Sequence, residues 1–294
     1  MKKLRLFPFA ALLGLLFTFT SFTPPPKGWT NLLADGLSQW DTYLSYRHQN
    51  GYDGKQPTDD QEQPIQPIGY HASEPQVFQL VEVDGEPVIH VSGEAYGCIF
   101  TKKEYENYHL SLKVKWGNNK YEPRTDKLKD SGLLYHSVGK AGVDYWRSWM
   151  LSQEFQIMEG HMGDYWGIAN SAIDVRAFLP EGAMNTVAGH NQDFLPIGPG
   201  TGRSGFCLRS VNNESPNGKW TTIELITIGD KSLHLVNGQV VMVLQHSRFV
   251  SNGKSTPLTK GKIQLQSEAA EVYFKDIRIK NITDWPKNYA HYFN

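Results

Sequence analysis

The spacing of turns constrains the fold of this chain more than any other feature. In its last third, three β-rich runs, 221–228, 232–236 and 239–244, are separated by Gly229-Asp230-Lys231 and then by Asn237-Gly238. Asn-Gly between such runs predicts a two-residue hairpin, because both residues accept the left-handed backbone of a type I′ turn. Residues 263–266 and 271–280 continue the pattern, and 88–92, 98–101, 131–137 and 150–159 read as strands upstream. Residues 109–116 alternate: Leu110, Leu112, Val114 and Trp116 share one face, His109, Ser111, Lys113 and Lys115 the other. The polar stretches 41–75 and 117–130 read as loops, and only 173–180 looks helix-like, too short to set the fold class. Short, regularly spaced strands with turn punctuation predict an all-β sandwich or barrel in one domain.

Lys2, Lys3 and Arg5 precede an apolar run over 6–20, followed by small residues and Pro24-Pro25-Pro26. This is the layout of a secretory signal peptide over 1–23, with an uncleaved anchor as the alternative. A β domain over 24–283 and a C-terminal tail over 284–294 follow. No cysteine stands at the cleavage site to carry a lipid, and no later segment is apolar enough to span a bilayer. The expected location is the periplasm or the outside of the cell. The 29 basic and 30 acidic residues balance, and no basic tract interleaved with aromatics occurs, so nucleic acid is excluded as an expected partner. Cys98 and Cys207 both lie in apolar strand-like stretches, where a disulfide and two buried thiols are both open.

The chemistry concentrates in 151–160. In a regular strand Ser152, Glu154, Gln156 and Met158 share one face, while Leu151, Phe155 and Ile157 line the core. Glu159 stands an odd number of positions from Glu154, so a β-bulge is needed to bring both carboxylates onto one surface. Two carboxyls so placed make an acid/base pair or a nucleophile and an acid; the alternative is an ordinary exposed glutamate. His136 joins the polar face if its strand pairs with the Glu154 strand. A glycine-flanked loop supplies His161, Asp164, Tyr165 and Trp166. Trp166 or Tyr165 offers a stacking surface for a sugar ring. Glu159, His161 and Asp164 leave a divalent cation open, without the spacing of any known metal motif. There is no nucleophile elbow, P-loop or dinucleotide fingerprint.

Several segments together resemble a known family. Gly28-Trp29-Thr30-Asn31-Leu32-Leu33 with Gly36-Leu37 and Trp40 is similar to the opening of the 3-keto-disaccharide hydrolase domain. Residues 101–108, 130–136, 154–160 and 163–166 fit its middle, and 219–224, 236–238 and 274–279 its end. The resemblance covers almost the whole mature chain in order. It implies a concanavalin A-like jelly roll, a β-sandwich of two antiparallel sheets, acting on a carbohydrate. The E-x-Q-x-x-E segment also resembles the E-x-D-x-x-E strand of laminarinase-type glucanases, but Gln156 replaces the middle aspartate, which argues against ordinary glycoside hydrolysis. The implied reaction is removal of the C2 hydrogen of a 3-keto-glycoside, with hydrolysis completed by addition of water. On this reading Glu154 or His136 is the base and Gln156 hydrogen-bonds the sugar. Glu159 or Asp164 orients or holds a cation, Trp166 stacks, and Lys102 and Lys115 stabilise the enolate. A lectin-like binding module and a conventional glycosidase remain as alternatives, since one fold hosts all three.

Overall fold

The computed structural model describes residues 26–143 and 147–293, so the signal-peptide expectation for 1–23 falls outside the described residues. The strands begin with β1 (Thr30–Asn31), β2 (Trp40–Leu44), β3 (Gly69–Tyr70), β4 (Phe78–Val83), β5 (Glu86–Val91), β6 (Gly97–Thr101) and β7 (Tyr108–Lys120). They continue as β8 (Asp130–Val138), β9 (Leu151–Met158), β10 (Tyr165–Ile168), β11 (Ser171–Phe178), β12 (Thr186–Ala188), β13 (Phe194–Ile197) and β14 (Phe206–Leu208). The last are β15 (Thr221–Ile228), β16 (Lys231–Val236), β17 (Gln239–Ser251), β18 (Lys254–Pro257), β19 (Lys262–Ser267) and β20 (Ala270–Asn281).

Pairing sorts these strands into two sheets. The back sheet runs β4-β5-β20-β7-β15-β16-β17-β11-β13, with β1 on β20 and β18 on β17. The front sheet runs β3-β2-β6-β19-β8-β9-β10-β14-β12. The far end of β11 also pairs with β12, which ties the two sheets together. Pairing is antiparallel apart from β12 on β14. The fold is the expected all-β, jelly-roll sandwich.

Alternation places the core. Leu110, Leu112 and Val114 of β7, Ile223 and Leu225 of β15, and Val272 and Phe274 of β20 turn inward from the back sheet. Leu133 and Tyr135 of β8, Phe155 and Ile157 of β9, and Leu265 of β19 meet them from the front. Each large side chain so buried contributes about 1.5–3 kcal/mol. Gln153 of β9 also faces inward, where it accepts from the Tyr165 hydroxyl and donates to Ser247 Oγ at 3.1 Å, so the polar group is satisfied. At the β16–β17 hairpin, Asn237 and Gly238 have φ of 47° and 78°, the backbone the dipeptide predicts.

Two expectations change. Residues 173–180 are not helical: β11 takes 173–178, with Ile173 and Val175 buried against β13 and β17 and Ala177 buried against β12. Tertiary pairing overrides a short local preference there. Of 41–75, residues 41–44 belong to β2 and 69–70 to β3, and the rest is loop. Of the two readings open for Cys98 and Cys207, the structure has buried free thiols. At the C-terminus, Trp285, Tyr289, Tyr292 and Phe293 pack on a cluster formed by Ile226, Leu233, Leu235, Val240 and Val243, so the tail is docked. Among the described residues no helix is long and apolar enough to cross a membrane.

Candidate active site

The side chains of β8, β9 and β10 that do not enter the core face outward over a cleft of about 970 Å³. That volume is at the upper end of what small-molecule sites use. Glu154, Gln156 and Met158 line it from β9, as strand parity predicts, and Trp166 lines it from β10. Glu154 is only 3% exposed, so its carboxylate lies at the floor. Gly132 of β8 makes the room: a Cβ at that position would overlap Glu154 Oε1 and the side-chain amide of Gln266. Both amide atoms of Gln266 and Oε1 of Gln156 are buried without a hydrogen-bond partner. Unsatisfied buried polar groups are rare and costly, and here they gather beside one carboxylate.

Toward one end of the cleft stands a second acidic group. Arg124 Nη2 lies 2.5 Å from Asp130 and 2.7 Å from Glu268, and all three residues line the cleft. The two carboxyls share this guanidinium in a buried position. Burial pushes Asp130 well above the usual carboxylate range, helped by the neighbouring Glu268 charge and only partly opposed by Arg124. Burial likewise raises Glu268. The short ion pairs and the raised values are consistent, because one cation cannot compensate two buried anions. The pair therefore retains a proton at higher pH than free carboxyls would.

A third group approaches from the loop between β9 and β10. His161 lines the cleft, with Nδ1 3.1 Å from Asp164 Oδ2. Asp164 is itself fully buried and receives the Arg209 backbone N–H at 2.8 Å and its guanidinium at 2.9 Å. Asp164 and the Arg209 guanidinium, whose Nη1 lies 3.2 Å from the same Nδ1, together orient the imidazole from behind. Trp166 remains 41% exposed at the side of the cleft, its ring 4.5 Å from that of Phe206.

The residues expected to form one site are therefore divided. Glu154, Gln156 and Trp166 come together, and Asp164 supports them through His161. His136 does not join them. The extra residue in the ladder lies on β8, between Tyr135 and Val138, where His136 takes φ of 52° and breaks the alternation. It is 1% exposed, away from the cleft lining, and burial lowers its pKa to about 3. β9 stays in regular register from Gln153 to Met158, so no bulge carries Glu159 over to Glu154. Glu159 accepts a hydrogen bond from Asn217 at 2.7 Å, outside the cleft lining. Lys115 projects from the back sheet over the rings of Trp220 and Tyr273. Lys102 is exposed, donating to the Ser38 carbonyl at 2.8 Å. Glu159 does not join the His161–Asp164 pair, since it is held by Asn217, and Asp164 is itself engaged by Arg209. Among the described residues no group of three or more His, Cys, Asp or Glu is placed to hold a metal ion.

Arg124, Glu268, Gln266 and Phe206 carry no signal in the sequence that singles them out. Only the pairing of β19 and β14 into the front sheet brings the last three to Glu154, and no local motif announces it.

A model of the 3-keto-alpha-glucoside-1,2-lyase-like domain matches residues 28–280. No curated protein matches the sequence. Solved structures of similar shape include two candidate glycosyl hydrolases from Parabacteroides distasonis. One is 18% identical, with 87% of this chain and 94% of that chain covered and a TM-score of 0.45. The other is 17% identical, with 86% and 99% covered and a TM-score of 0.47. A carbohydrate-binding module from Bacillus subtilis is 8% identical, with 69% and 91% covered and a TM-score of 0.38. At such distances these likenesses say nothing about the chemistry of the cleft. The family match spans both sheets and every residue of the cleft, and the chain belongs to the carbohydrate-active 3-keto-alpha-glucoside-1,2-lyase-like family.

Proposed function

We propose that the cleft binds a glycoside already oxidised to a ketone at C3 and cleaves it by elimination followed by hydration. The observation that carries this reading is the setting of Glu154. One carboxylate lies at the floor, over a glycine that makes room for it, beside amides with unmet hydrogen-bonding capacity. The C3 ketone acidifies the C2 hydrogen, and Glu154 takes that proton. The C2–H electrons form the enolate, and their return expels the C1 oxygen, leaving a C1–C2 double bond conjugated with the ketone. Water then adds its oxygen to C1 and a proton to C2, giving the free 3-keto sugar.

The other groups have roles that match their electrostatics. A carboxyl that stays protonated in a buried site can donate a hydrogen bond to a developing enolate. The Asp130–Glu268 pair with Arg124 supplies such a donor. His161, held by Asp164 and Arg209, returns a proton to the leaving oxygen in this reading. Gln156, which lines the cleft, hydrogen-bonds the sugar. Export to the periplasm or beyond, from the N-terminal layout, belongs to the same proposal.

Purified protein is tested on methyl glucoside with and without prior C3 oxidation, in heavy water. Cleavage of the oxidised glycoside alone, with deuterium entering at C2, is the expected result. Glu154→Gln is expected to lower that rate by about 10²–10⁴-fold. An unaffected variant refutes the assignment of Glu154. Cleavage of the unoxidised glycoside identifies a conventional glycosidase, and binding of plain oligosaccharides without any turnover identifies a lectin.

A further inference from the structure

We infer that the cleft selects glycosides whose leaving group is flat and apolar, and that Trp166, Phe206 and Leu208 form the subsite for it. The inference rests on the reading that Glu154 removes the C2 hydrogen, because that role fixes the direction of the leaving group.

Strand order supplies the geometry. β9, β10 and β14 are consecutive, and register sets Trp166 opposite Glu154 and Phe206 opposite Trp166. Residues directly opposite on neighbouring strands share a face, with Cβ atoms about 5 Å apart. About one sugar-ring width from Glu154 the surface is indole, and one strand further it is phenyl. The two rings are 4.5 Å apart and inclined by 41°, and both line the cleft together with Leu208. On the opposite side of Glu154, β8 and β19 carry Asp130 and Gln266, with Arg124 and Glu268 adjoining.

The two sides of Glu154 therefore differ in kind. In a bound sugar, C1 and C3 lie on opposite sides of C2. The developing enolate at C3 needs hydrogen-bond donors, which only the charged side offers in number. C1 and its substituent must then extend over the aromatic strip. A second sugar there would pair hydroxyls only with the lining amides of Asn170 and Asn185, while Trp166, Phe206 and Leu208 pair none, a cost for each hydroxyl left over. A flat hydrocarbon ring would instead gain both apolar burial and ring stacking.

The test uses 3-keto glucosides that differ only in the leaving group: methyl, benzyl and a second glucose. Benzyl alcohol is no better a leaving group than a sugar hydroxyl, so a benzyl preference reports binding rather than leaving ability. Wild type is expected to show kcat/KM for the benzyl compound at least about tenfold above both others. Phe206→Ser should shrink the benzyl-to-methyl ratio by about the same factor, and Trp166→Leu gives the same readout if the first variant fails to fold. A disaccharide that is cleaved as well as the benzyl compound overturns the subsite while leaving the role of Glu154 standing. So does a benzyl preference that survives both substitutions. If none of the three oxidised glycosides is cleaved, the catalytic reading itself fails and the subsite with it.

Discussion

The outer faces of the two sheets both carry buried glutamates above a glycine, and they treat them in opposite ways. On the back sheet Glu271 sits over Gly117 and is fully partnered. His90 Nε2 lies 2.9 Å away, the Tyr273 hydroxyl donates at 2.8 Å, and the backbone N–H groups of Asn118 and Asn119 donate at 2.9 and 3.1 Å. Burial works against its charge, but these donors outweigh it and hold the carboxyl below its ordinary range. On the front sheet Glu154 sits over Gly132, flanked by amides with no partner and by an acid pair whose pKa values burial raises. The back face stores its charges as structure. The front face gathers unmet amide capacity and carboxyls that burial raises around one cleft, the kind of setting found at reacting sites.

The same insult on each face gives the sharpest contrast. Neither Gly117 nor Gly132 has a positive φ, so alanine costs little in backbone strain at either position and acts through its Cβ. At Gly132 that Cβ displaces the ends of Glu154 and Gln266, both able to swing aside. Gly132→Ala is therefore expected to fold and to lose about 100-fold or more in turnover of a 3-keto glucoside, the usual result of misplacing a reacting group. At Gly117 the Cβ displaces Glu271 from its four donors. Gly117→Ala should cost about 1–3 kcal/mol of stability and leave turnover within about twofold. Equal losses of activity in the two variants would erase the distinction between the faces.

Stability against pH separates the faces by sign. Asp130 and Glu268 have folded-state values above the unfolded ones. Their contribution is complete below the ordinary carboxylate range and is lost as pH rises through the raised values. Glu271 is lowered from 4.5, so its contribution is present above that value and is lost as pH falls through the lowered one. Asp130→Asn removes the coupling within the front pair while leaving Arg124 its partner Glu268. Between about pH 5 and pH 8 the melting temperature of wild type should fall more than that of Asp130→Asn, by about 2–4 °C, what 1 kcal/mol does in a chain of this size. Parallel melting curves would show that the acid pair carries no excess proton.

Much of this arrangement is legible in the sequence where alternation governs. The parity of 151–158 puts Glu154 and Gln156 outward and Phe155 and Ile157 inward, and the sheet obeys it. The same reasoning misplaces His136, because one extra residue in β8 inverts the alternation beyond Tyr135. It misplaces Glu159 because the anticipated bulge lies on β8 and not on β9. The acid pair is invisible from sequence: Asp130 and Glu268 meet only because β19 inserts between β6 and β8. Register across strands, which single-strand periodicity does not encode, decides which outward residues become neighbours.

Lys115 provides the smallest test. As an outward residue of an alternating strand it is a natural candidate to stabilise an enolate, but its strand belongs to the back sheet. Its ammonium lies 4.8 Å from the Trp220 ring and 5.5 Å from that of Tyr273, while Lys275 covers Trp220 independently at 4.7 Å. An exposed cation–π contact of this kind is worth about 0.5–1 kcal/mol. Because Lys275 remains, Lys115→Ala should cost about 0.5 kcal/mol in denaturant unfolding, and turnover should stay within about twofold. A loss of turnover beyond about tenfold, with stability unchanged, would mean that the back face reaches the chemistry and that the division between a structural and a reactive face does not hold.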